Sequence, residues 1–262
     1  NMDRRADGDY KKVASFAAVL PADDPEIIVY VMLDDPNNAR TDYSSLLAAP
    51  VVGNIISEIA QPISMSFRHF VLGAVAIFFY VGVEVGIPNT ANLYMSNLSW
   101  VGPAIAGTMV GVYWFMMMCG RLLGGALGGK ISSRAMLTSV CLLALVFVFC
   151  IMFIPETVKV NVPIVNVHVP LSMVFMFLCG ICTSVMWGSI YNLAAEGLGK
   201  YTPAASGIFM ALVCGGGIIP WLADMPSIGS IGSYWVIVVG ILYMLFYALV
   251  GSKNVNKDIP VE

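Results

Sequence analysis

The sequence predicts an all-α polytopic membrane protein with a small α+β segment at its amino end. Two observations carry that reading. The 262 residues are 58% hydrophobic and only 11% charged, where soluble domains average roughly 25% charged. Most of the chain is therefore built for a solvent other than water. The few charges are also unevenly placed. Residues 1–61 carry five bases against ten acids, a net of −5, and residues 62–262 carry eight against six, a net of +2. The break near Gln61-Pro62 divides a short acidic soluble piece, 1–61, from a long apolar piece, 62–262.

In the soluble piece, Val13 to Leu20 and Ile27 to Leu33 are β-prone runs on either side of Pro-Ala-Asp-Asp-Pro, a strong turn signal. Pro36-Asn37-Asn38 closes the second run. Ala49 to Ala60 reads as a short helix, with Val51, Val52, Ile55, Ile56 and Ile59 on one face and Pro50 at its start. Two strands and one helix make too small a core to fold alone, so this piece reads as the edge of a larger domain. The charged opening NMDRRADGDYKK leads into no signal peptide. A first residue of Asn1 fits a fragment or a processed product.

Six apolar spans follow, near 67–92, 104–127, 134–155, 170–196, 203–223 and 233–251. Each has about the 17–25 residues that cross ~30 Å of hydrocarbon. The fifth, interrupted by Gly215-Gly216-Gly217 and Pro220, is the weakest. Arg68, Arg121, Lys130, Arg134, Lys200, Lys253 and Lys257 collect on one side and only Lys159 on the other, which puts both ends of the bundle in the cytoplasm. The loops near 93–103, 156–169 and 224–232 then lie outside. All six cysteines fall in apolar runs and form no disulfide framework. Cys179-Gly-Ile-Cys182 has redox spacing but no basic neighbour, and reads as packing. Asn97-Leu98-Ser99 is a glycosylation sequon of a kind common by chance.

Several positions point to chemistry. Glu84 lies well inside the first span, and a charge at that depth costs about 2.5–3.5 kcal/mol on insertion scales. Tyr80, Glu84, Pro88 and Asn92 are spaced by four and share a helix face, with Asn89 beside them. Pro88 is expected to kink or break the helix, freeing carbonyls for substrate or water. The bland alternative for Glu84 is a structural partner on a neighbouring helix. In the second span Gly107, Gly111, Gly120, Gly124 and Gly128 have small-xxx-small spacing, expected to let helices approach closely. Tyr113 of this span joins the candidate site. The following GRLLGGALGGKISSRAML reads as a Gly-rich basic turn, in which Arg121, Lys130 and Arg134 either serve a gate or anchor the turn to lipid or a neighbouring acid. In the fourth span Thr183, Trp187 and Tyr191 are again spaced by four, with Asn192 adjacent. An indole with polar groups on one face suits a sugar ring. An aromatic packing seam is the equal alternative.

Two resemblances emerge from longer strings. YKKVASFAAVLPADDPEIIVYVMLDDPNN followed by AAPVVGNIISEIA resembles the carboxy-terminal end of a penicillin-binding-protein transpeptidase domain, over about residues 10–61. That family's Ser-x-x-Lys, Ser-x-Asn and Lys-Thr-Gly motifs do not occur in this segment, so no acyl transfer is expected from it. FRHFVLGAVAIFFYVGVEVGIPNTANLYM, GVYWFMMMCGRLLGGALGGKISSRAML, SVMWGSIYNLAAEGLGKYTPAASG and GGGIIP resemble the carboxy-terminal half of major facilitator superfamily sugar permeases, nearest the bacterial fucose/glucose–galactose proton symporters. This covers residues 67–262. It implies a six-helix half of a twelve-helix bundle in a bacterial inner membrane, with sugar held between the halves. By the resemblance, the Glu84 and Trp187 helices line that cavity, and the GRLLGGALGGKISSR turn is the second-half counterpart of the family's gating loop. The expected partners are membrane lipid, a sugar, a proton and the missing amino-terminal half.

The two resemblances conflict in topology, because a transpeptidase works outside the cytoplasmic membrane whereas the first span starts inside. The chain therefore reads as a junction of two unrelated coding fragments. The function expected is membrane transport of a hexose or deoxyhexose by proton symport in the intact protein. The alternative is a fragment of a cell-wall enzyme. No cofactor, metal or catalytic residue is expected, and the spans and absent basic patch exclude a nucleic-acid binder.

Overall fold

The structure is a computed structural model that describes residues 13–20, 27–34, 65–162, 167–224 and 233–254. Two compact units are present, one made of residues 1–66, 197–206 and 257–262, the other of 67–196 and 207–256. In the first unit β1 (Val13–Leu20) and β2 (Ile27–Asp34) form an antiparallel hairpin with Val13 opposite Asp34 and Leu20 opposite Ile27. Both strands match the apolar runs of the sequence. The helix expected at 49–60 lies outside the described residues.

The larger unit is helical. Its elements are α1 (Arg68–Ser96), α2 (Gly102–Leu127), α3 (Ser133–Phe153), a short hairpin of β3 (Lys159–Val162) and β4 (Val167–Pro170), α4 (Leu171–Ser184), α5 (Met186–Ala195), and α7 (Gly215–Ala223). It closes with α8 (Tyr234–Phe246) and a π-helical turn over Tyr247–Gly251. α6 (Thr202–Leu212) precedes α7 in the chain. Grouped by continuity, these make six helical spans long and apolar enough to cross a membrane. Their limits fall within a few residues of those read from the sequence, except that α1 runs a turn further, to Ser96.

Local chemistry sets the boundaries. Gly102 has φ of 75°, a left-handed conformation that favours glycine, and Pro103 follows in the first turn of α2, where its missing N–H costs nothing. Ser132 caps α3 by accepting from the Ala135 N–H at 3.3 Å. The fourth span is interrupted at Val185, between α4 and α5. Just before the break Thr183 Oγ1 lies 3.1 Å from the carbonyls of Cys179 and Gly180, and Ser184 Oγ donates to the Ile181 carbonyl at 2.5 Å. Such back-bonding bends helices. The fifth span breaks at Val213-Cys214, and the triglycine and Pro220 expected to interrupt it lie inside α7.

α1 is the central post. It packs against α2, α5, α7 and α8, and 61% of its apolar window is buried, against 22% for α2. Its closest neighbour is α7: a Cβ on Gly215 would collide with the Phe78 backbone, and one on Gly82 with Ile219. The glycine stripe of α2 is only partly used as expected. Gly120 and Gly124 press against Ser184 and Val185, whereas Gly107 and Gly111 have nothing within 4 Å of an added Cβ and Gly128 meets only carbonyls of its own helix. All six cysteines are unpaired.

Candidate functional site

Glu84 faces α2. Its Oε1 lies 3.2 Å from Arg121 Nη2, with the carboxylate side chain 12% and the guanidinium side chain 59% exposed. Arg121 thus meets an acid of a neighbouring helix, one of the alternatives its sequence position offered. α2 continues to Leu127, which places Arg121 within the helix, where its long side chain reaches back to the acid. Lys130 is exposed in the turn, and Arg134 sits in the first turn of α3 with its carbonyl accepting from Thr138.

Around the pair are two tyrosines and an indole. Tyr80, one turn before Glu84, is fully buried; its hydroxyl has Glu84 and Arg121 as electrostatic neighbours but makes no hydrogen bond of good geometry. Its ring meets half-buried Trp187 of α5 edge to face, with centroids 5.9 Å apart. Tyr113, also fully buried, donates to the Glu84 backbone carbonyl at 2.9 Å and lies 3.2 Å from Thr183 Oγ1. α1 runs continuously through Pro88, so the break expected there is absent. The Glu84 carbonyl that Pro88 deprives of a partner meets a tyrosine of the next helix.

Tyr80, Glu84, Tyr113, Arg121 and Trp187 thus come together, with Thr183 behind them. The other candidates do not join them. Asn89 donates to Asp224 Oδ2 at 3.0 Å beside the end of α7, and Asn92 lies 3.5 Å from Ser96 Oγ on its own helix. Tyr191 packs against Phe209 with centroids 5.4 Å apart, an aromatic seam. Asn192 is exposed and lines a groove of about 300 Å³ with Arg121, Ser184 and Ser189. Arg121 is the residue common to the groove and the Glu84 pair.

His69 is a further buried polar residue of α1 that its sequence position does not single out. It is fully buried in the first turn of α1, and its Nε2 lies 2.8 Å from the Glu196 carbonyl at the end of α5. Its only signal was an imidazole in an apolar run. Among the described residues no group of three or more His, Cys, Asp or Glu is arranged to hold a metal.

Six apolar spans around a central helix that buries an acid against an arginine are the architecture of a multi-pass membrane protein. The chain belongs to the Major Facilitator Superfamily, whose family model matches residues 14–220. It is 29% identical over 208 residues to the glucose/galactose transporter of Brucella abortus biovar 1 (strain 9-941), covering 76% of this chain and 46% of that protein. It is 40% identical over 55 residues to the stage V sporulation protein D of Bacillus subtilis (strain 168), covering 20% of this chain and 8% of that protein. Its fold is similar to that of the E. coli fucose:proton symporter, with a TM-score of 0.62 at 18% identity over 74% of this chain and 45% of that one. The chain spans about half the length of the transporters it matches.

Proposed function

We propose that residues 67–262 are the second six-helix half of a twelve-helix sugar permease that moves a hexose or deoxyhexose together with a proton. The basic end of the bundle faces the cytoplasm, and Glu84 and Trp187 stand on the wall that meets the first half. The observation that carries this reading is the Glu84–Arg121 pair set beside the Tyr80–Trp187 contact. An ionisable pair inside a span is costly to insert, and the face of an indole next to it offers an apolar plate to a sugar ring while the charges take its hydroxyls. The named relatives, a glucose/galactose transporter and a fucose:proton symporter, support both the sugar and the proton. Alternating access needs one half rocking against the other, so the six spans are expected to transport only when joined to a first half.

The test is uptake of labelled glucose, galactose and fucose into vesicles holding this half joined to a first half, with external pH followed in parallel. Glu84→Gln is expected to lower uptake about tenfold or more, the effect of ~1.4 kcal/mol, and to abolish the accompanying pH change. Unchanged uptake and coupling would return Glu84 to a structural role.

A second reading covers the amino end alone. The 40% identity to a stretch of a sporulation protein supports a segment related to the close of a penicillin-binding-protein domain, joined to the bundle at a junction near residues 58–67. One uninterrupted reading frame in long genomic reads would sink the idea that two coding fragments were joined artificially. A fluorescent penicillin should leave the chain unlabelled. Covalent labelling would revive a cell-wall enzyme.

A further inference from the structure

Pro88 lies inside α1, and a proline has no N–H to offer the carbonyl four residues back. That carbonyl belongs to Glu84, the one acid within the six spans. Its oxygen is not left bare, because Tyr113 Oη donates to it at 2.9 Å from a neighbouring helix. A carbonyl can only accept, so the single phenolic proton of Tyr113 is committed to Glu84. The Thr183 hydroxyl, 3.2 Å from Tyr113 Oη, is left to donate either to Tyr113 or to the Cys179 and Gly180 carbonyls of its own helix. The ring is held in place as well. Gly180 passes so close that an added Cβ would stand 3.1 Å from Cδ2 of the Tyr113 ring.

We propose that Tyr113 is a positioning residue for Glu84. Its hydroxyl replaces the hydrogen bond that Pro88 removes from α1, and so holds the Glu84 backbone where the carboxylate meets Arg121. Tyr113 is fully buried and its proton already used, which sets it apart from a sugar ligand. The functional weight of the proposal rests on the reading of Glu84 as a site residue. The exchange of one donor for another does not.

The experiment is a double-mutant cycle on the purified chain in detergent, using Tyr113→Phe, Pro88→Ala and both together. Pro88→Ala gives α1 its own N–H for the Glu84 carbonyl. Two quantities are read: the thermal midpoint, and the infrared titration of the Glu84 carboxyl band, identified by its loss in Glu84→Gln. Tyr113→Phe is expected to lower the midpoint by roughly 2–4 °C and to move the titration of the Glu84 carboxyl. Both effects should at least halve in the Pro88→Ala background. Effects of equal size in the two backgrounds, or a titration that Tyr113→Phe leaves in place, would overturn the proposal. If Tyr113→Phe alone does not fold, recovery of folding in the double variant supports it and failure of both overturns it. A transport assay indifferent to Glu84→Gln would end the permease reading and leave the outcome of this cycle untouched.

Discussion

Glu84 and Arg121 share one ion pair but not one environment. The carboxylate is nearly enclosed, whereas the guanidinium keeps more than half its surface exposed. Removing the arginine strands a buried charge, and removing the acid merely releases an arginine to the surface. Arg121→Gln is therefore expected to destabilise by about 1–3 kcal/mol, the buried-pair cost reduced for the exposed partner. Glu84→Gln should cost less, and the double variant should lie nearer to Glu84→Gln than to Arg121→Gln. Equal losses for the two single variants, measured by thermal unfolding in detergent, would contradict the asymmetry. Glu84 was legible in the sequence because one carboxylate in an apolar run stands out against hydropathy alone. For Arg121 the sequence offered a neighbouring acid as one alternative without saying which, because Glu84 lies 37 residues away. Asn92 shares the helical face of Glu84 by spacing, with Asn89 beside it, but both lie one to two turns further along α1. There Asn89 bonds Asp224 and Asn92 stays with Ser96.

At the scale of single helices, composition marks the spans well and their interruptions poorly. Hydropathy integrates over some twenty residues, so all six spans were visible. A break depends on whether a side chain turns back on its own helix, as Thr183 and Ser184 do, or whether a neighbour supplies a lost bond, as at Pro88. Neither is written in local propensity. The glycines make the same point, because small-residue spacing does not say which of them a neighbour uses. In α7, Gly215 presses on the Phe78 backbone of α1 whereas Gly217 has nothing within 4 Å of an added Cβ. Gly215→Ala is expected to force α1 and α7 apart and cost about 1–3 kcal/mol. Gly217→Ala should be neutral or stabilise by up to about 1 kcal/mol through helix propensity. Thermal midpoints in detergent that rank the two the other way would show that this seam does not limit stability.

Across the whole molecule, the spans divide by how much of them the unit itself covers. α1 and the fourth span are mostly enclosed, while α2, α3 and the fifth span leave most of their apolar windows uncovered. Uncovered apolar surface on this scale is matched by hydrocarbon or by another bundle. The proposed orientation has its own check. Gly129→Cys, in the basic turn, and Val158→Cys, beside β3, should react with an impermeant thiol reagent from opposite faces of the membrane in a background lacking the native cysteines. Labelling of both from one face would refute the charge-based orientation. The turn after α1 and the β3–β4 hairpin also have a mechanical consequence. Tyr94 donates to Glu156 at 2.8 Å, and Lys159 Nζ stands 4.0 Å from the centre of the Trp100 ring. Each contact is modest, the cation–π one about 0.5–1 kcal/mol at an exposed position. Together they clasp the far ends of α1, α2 and α3 at a point where a pulling force would otherwise peel them apart. Drawn out of a bilayer by its carboxy terminus, the chain should release these three helices in one rupture. Trp100→Ala combined with Glu156→Gln should split that event into smaller steps.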